Sequence, residues 1–144
     1  MFTIPRVPWS TRLVAAVLCA VPLAATQATP KPATPTYAVK ISLDQEYIGT
    51  TTFAIDAKGL VTGEMTIDST GAVMTLSGSV KDGVWTFEKM TFTLAAMNCS
   101  GVTSGTATVP ADLGVISGKI HVEAGCGTDQ PRDGTFTFTR TPKS

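Results

Sequence analysis

Acid–base or nucleophilic catalysis needs a poised group and a partner for it. In 144 residues there is one histidine, His121. It lies between Ile120 and Val122 in an alternating segment, so its parity places it on the solvent side of a strand, as a solvated imidazole. The chain has no His-Glu-x-x-His, no Cys-x-x-Cys and no phosphate-cradling glycine loop. Its Asp-Gly pairs lack the acid spacing and terminal Glu of a calcium-binding loop. The expectation is therefore no catalytic residue, no metal site and no cofactor. Covalent chemistry is left to the cysteines. Cys19 sits inside an apolar leader, which leaves Cys99 and Cys126, an even pair that predicts one disulfide if the chain is exported. Closing a loop of roughly 28 residues, the bridge contributes about 3–4 kcal/mol by chain entropy. Asn98-Cys99-Ser100 fits a glycosylation sequon, but a bridged Cys99 makes that match accidental.

The remaining polar groups gain meaning only from the elements that carry them. Arg6 and Arg12 precede an apolar run from Leu13 to Ala25, and small residues follow, so residues 1–28 are predicted to be a secretory signal peptide. The run is too short for a membrane-spanning helix, which needs about 20 residues. Without the leader, nine Lys and Arg face eleven Asp and Glu, a net charge of −2 with no basic patch, which argues against nucleic acid as a partner. Residues 29–36, with Pro30, Pro32 and Pro35, read as an extended linker. Residues 37–140 read as one β domain, and 141–144 as a polar tail.

A refrain organises that domain. Thr62-Gly63, Ser77-Gly78, Ser104-Gly105 and Ser117-Gly118 each sit in an alternating run. Eight short strands follow from period-two alternation and turn signals about every ten residues, and no segment of the domain has helical periodicity. One face carries Tyr37, Val39, Ile41, Phe53, Met65, Met74, Trp85, Phe87, Ile116, Ile120, Phe136 and Phe138. The fourth strand runs unbroken from Ala72 to Val80. In the fifth, Trp85 and Phe87 fall on one parity and Met90 and Phe92 on the other, which predicts a β-bulge at Glu88-Lys89. Gly49, Gly63, Gly78, Gly105 and Gly118 lie on the apolar parity, where missing side chains let strands bend as a small closed barrel requires. The predicted fold is an eight-stranded antiparallel up-and-down β-barrel, with a two-layer β-sandwich as the alternative. In architecture alone the pattern is similar to lipocalin-like and streptavidin-like barrels.

In a meander the connections alternate between ends, so the loops at 44–46, 68–71, 95–100 and 123–134 share a rim. That rim gathers Asp44, Glu46, Asp68, Asn98, Glu123, Asp129, Arg132 and Asp133 with both cysteines. Functional groups concentrate on longer loops, which makes Glu46, Asp68, Asn98, Asp129 and Arg132 the candidate contact residues. The inward face is nearly free of polar groups, so a ligand inside would be apolar. The sequence thus points to an exported, non-enzymatic module, periplasmic or extracellular, binding a small apolar ligand or a protein partner. The competing reading is a structural or inhibitory envelope protein acting through its rim, with a fully packed interior.

Overall fold

The computed structural model describes residues 34–143. The leader over 1–28, Cys19 and most of the predicted linker lie outside the described residues. Nine strands form one antiparallel sheet: β1 (Thr36–Ser42), β2 (Glu46–Ile55), β3 (Val61–Ile67), β4 (Ala72–Leu76), β5 (Ser79–Lys81), β6 (Val84–Leu94), β7 (Cys99–Thr108), β8 (Val115–Val122) and β9 (Arg132–Arg140). Their order is β4-β3-β2-β1-β9-β8-β7-β6-β5, and a further β4–β6 pairing closes the ring. The first and last strands pair directly, from Tyr37 opposite Arg140 to Ser42 opposite Thr135. The closed ring excludes the two-layer sandwich. Thr36, assigned to the linker by its Pro-rich neighbours, belongs to β1 and pairs with Thr52.

β4 and β5 are one wall strand broken in the middle, so nine segments make an eight-stranded barrel. The break falls at Ser77-Gly78, where the alternation alone predicts an unbroken strand. Gly78 has φ +108°, a region that side-chain-bearing residues rarely enter. The backbone groups freed there find new partners. The Trp85 indole N–H donates to the Ser77 carbonyl at 2.9 Å, and Val61 N–H donates to the Gly78 carbonyl at 3.0 Å. The predicted bulge is present: the β6–β7 register shifts between Phe87 and Met90, leaving Glu88 and Lys89 exposed and both apolar parities inward.

Alternation decides what the wall encloses. Tyr37, Val39 and Ile41 of β1 are buried, while Ala38 and Lys40 between them are exposed. Glycine permits close strand approach at Gly105, where a Cβ would stand 2.7 Å from the Phe87 ring and also run into the Lys119 carbonyl of β8. The outer wall is rich in threonine and charge: Lys40, Thr50, Thr52, Glu64, Thr75, Thr86, Lys119 and Thr135 are all exposed. A polar outside around an apolar inside is the reverse of a membrane barrel's polarity. Among the described residues no helix is long and apolar enough to cross a membrane.

Candidate functional site

The barrel has two unlike ends. One carries the tight connections around residues 56–60, 82–83 and 109–114, and aromatic side chains fill it. The Tyr37 ring stacks on Phe53 with centroids 4.7 Å apart. Trp85 packs on Phe87 at 4.8 Å and stands edge-on to Phe136 at 6.0 Å. Phe136 meets Phe138 at 5.1 Å. Such tilted and edge contacts add to the area these rings bury. The Tyr37 hydroxyl donates to the Leu113 carbonyl at 2.9 Å, which ties this end shut. Burial raises the Tyr37 pKa; nearby Arg140 lowers it in part, and Asp112 raises it.

The other end carries the connections at residues 43–45, 68–71, 95–98 and 123–131, and there the interior is open. A cavity of about 310 Å3 runs inward from this mouth. Its floor and walls are apolar: Ile41, Ile67, Ala72, Met74, Phe92, Ile120 and Val122. Leu43, Tyr47, Leu94, Ala96 and Met97 surround the opening with Cys126, Gly127, Thr128 and Arg132. Small residues make the room. The Phe92 ring lies against Gly101 of β7, where a Cβ would collide with it. Gly101 shares the inward parity of Thr103 and Gly105, the signal that could have placed it in the wall. The interior is therefore packed at one end only, which corrects the expectation of a fully packed barrel in the competing reading.

Cys99 and Cys126 are joined in a disulfide with Cα atoms 5.5 Å apart. The bridge ties the start of β7 to the long loop before β9. The sequence places Cys99 in a loop over 95–100. The structure instead makes a short 3-10 turn at Ala95–Met97, ended by Asn98 in the left-handed conformation, and Cys99 is already the first residue of β7.

The five candidate rim residues separate in space. Arg132 alone among them borders the cavity. Its Nη1 donates to Asp44 Oδ1 at 2.7 Å and to the Tyr47 hydroxyl at 3.4 Å. Its Nε donates to Thr128 Oγ1 at 2.9 Å, and its Nη2 to the Gly127 carbonyl at 3.5 Å. Asp44 is partly desolvated, but its own backbone N–H, the Arg132 guanidinium and the Tyr47 hydroxyl outweigh that and hold its carboxyl below its ordinary pKa. Glu46 points along the outer wall and pairs with Lys40 at 2.7 Å. Asp68 is exposed in its turn, Asn98 caps the 3-10 turn, and Asp129 is exposed in the long loop. Among the described residues no group of three or more His, Cys, Asp or Glu side chains is placed to hold a metal ion.

His121 faces outward from β8, with Nδ1 2.7 Å from Asp133 Oδ1. Alternation assigned Asp133 to the rim; it lies instead in β9, as the register partner of His121. Ser104 is the partner of His121 on the other side, but no hydrogen bond joins its hydroxyl to the imidazole. The three residues form a row on a wall away from the cavity. The cavity's own titratable side chains are Tyr47 and Arg132, both at its mouth.

No protein-family model matches the chain, and no curated protein matches it. Among solved structures it is similar to a redesigned beta barrel, mFAP1, bound to DFHBI, with a TM-score of 0.52 at 15% identity. The match covers 74% of this chain and 94% of that one. At that identity the likeness concerns the fold, a closed antiparallel β-barrel.

Proposed function

We propose that the protein is an exported, non-enzymatic binding module that takes a small apolar molecule into the cavity at the disulfide end. The observation that carries this reading is the cavity itself: about 310 Å3, walled by aliphatic, methionine and phenylalanine side chains. That is the lower end of the size range of small-molecule sites, and an apolar lining with a few polar groups at the mouth is their usual make-up. The similar barrel, named as bound to DFHBI, supports the reading at the level of architecture. The non-enzymatic part of the reading is supported by the apolar lining of the cavity, whose titratable side chains are Tyr47 and Arg132 at its mouth, while His121 lies in a separate recess on the outer wall with Lys119 and Asp133. The leader pattern and the disulfide together support export, because disulfides persist in oxidising compartments.

The test starts from the full chain expressed in a secreting host, with protein recovered from outside the cytoplasm. Titration with the neutral solvatochromic dye Prodan is expected to give a saturable, one-to-one blue shift. A spectrum no different from that with the unfolded protein would remove the reading.

A further inference from the structure

Two threonines are buried in this barrel, and they are bonded differently. Thr51 is 2% exposed and donates to the Glu64 carbonyl at 2.8 Å, an ordinary tight hydroxyl bond that serves the wall. Thr103 is 1% exposed and borders the cavity, which Thr51 does not. Its proton is offered to the Met90 carbonyl at 3.4 Å and to the Met74 sulfur at 4.0 Å, both long contacts. A hydroxyl has one donor and two lone pairs, and among the described residues none donates to Thr103 Oγ1. The Thr103 hydroxyl, on a buried residue that lines the apolar cavity, is therefore an acceptor without a protein donor among the described residues. A donor on the occupant would fill an open lone pair of that oxygen, which an occupant with no polar group leaves unpaired. At the mouth, Arg132 already serves Asp44, Tyr47, Thr128 and Gly127. An anionic headgroup would have to displace Asp44 to reach it.

Resting on the binding function proposed above, we infer that the cavity selects a neutral apolar molecule carrying one hydrogen-bond donor, a phenol or alcohol hydroxyl, seated against Thr103 Oγ1. The hydroxyl enters first, and the hydrocarbon body lies between Met74, Phe92 and Ile120.

Displacement of Prodan by 4-butylphenol, butylbenzene and 4-butylbenzoate tests this. The phenol is expected to bind about five-fold tighter than butylbenzene, within the range of a neutral buried hydrogen bond, and the benzoate more weakly than the phenol. Thr103→Val should abolish the phenol preference while butylbenzene still binds. Thr103→Ser and Thr51→Val should keep it. Equal affinities for phenol and hydrocarbon, a preference that survives Thr103→Val, or a benzoate that binds tightest would each overturn the inference. So would Prodan binding that none of the three displaces, and each of these outcomes leaves the binding function standing. No Prodan binding at all removes both. If Thr103→Val does not fold, the wild-type ratios and Thr103→Ser decide.

Discussion

At the hairpin end the strands contribute Tyr37, Phe53, Leu76, Trp85, Phe87 and Phe138; at the disulfide end the same strands contribute Ile41, Tyr47, Ala72, Phe92, Leu94 and Arg132. Fewer rings and smaller side chains at the second end leave a cavity. The difference is one of volume, since the alternation of inward and outward residues is the same at both. Interdigitated rings hold the first end together. The second is tied by a disulfide and by a fan of hydrogen bonds around Arg132. Packing is complete at the first end, and the space the proposed function would use is left at the second.

That division can be broken by cutting each end separately. The largest effect is expected from Trp85→Ala. It empties the centre of the aromatic cluster and leaves the Ser77 carbonyl without its donor, for a loss of about 5 kcal/mol, the upper end for large-to-alanine changes. Chemical denaturation measures the loss. Prodan affinity of the folded fraction should stay as it was; a matching loss of affinity would show that the ends are not independent. Next comes the paired change Cys99→Ser with Cys126→Ser, expected to cost about 3–4 kcal/mol. It should also weaken dye binding, because Cys126 and the two residues after it border the cavity. Unchanged affinity in that variant would detach the bridge from the site.

The smallest effect separates the ends by pH. The Asp44 pKa is lowered in the folded state, so its stabilisation is present above the unfolded value of about 3.9 and is lost as pH falls through the lower folded value. The Tyr37 pKa is raised, so its contribution is complete below the unfolded value of about 10 and is lost as pH rises through the folded one. Carboxyl NMR should follow Asp44 to a midpoint below the ordinary one, and Arg132→Gln should move it back up. Ultraviolet titration should find the Tyr37 phenol resisting ionisation. An ordinary midpoint at either residue would refute the assignment at that end.

The barrel was readable from the sequence because its strands alternate cleanly. Parity placed Trp85, Phe136 and Phe138 inside and His121 outside, and the parity change between Phe87 and Met90 located the bulge. The closure follows from the glycines on the inward parity, the disulfide from the even pair of cysteines, and the shared rim from the alternation of turns between ends. The break at Ser77-Gly78 was not readable, because alternation continues across it and only the backbone twist at Gly78 interrupts the ladder. Cys99 reads as loop because Asn98, Cys99 and Ser100 resemble turn residues, whereas the strand state of Cys99 and Ser100 depends on their pairing with Leu94 and Thr93 of β6. The cavity was hidden for a different reason. Parity says which way a side chain points, but whether opposing side chains fill the space depends on which heights in the ring hold rings and which hold Ala72, Gly101 and Thr103. The candidate rim residues follow from the loops that carry them, and of those only Arg132 borders the cavity.

The wall has one thin place. β4 meets β6 through only two register pairs, Val73 with Thr93 and Met74 with Phe92, next to the interruption at Ser77-Gly78. Met74 and Phe92 also face the cavity. A guest lying between them would touch both lips of this slit at once, as a clasp does. If the proposed guest binds only the closed wall, its occupancy would favour that closed form, because whatever binds one state stabilises it.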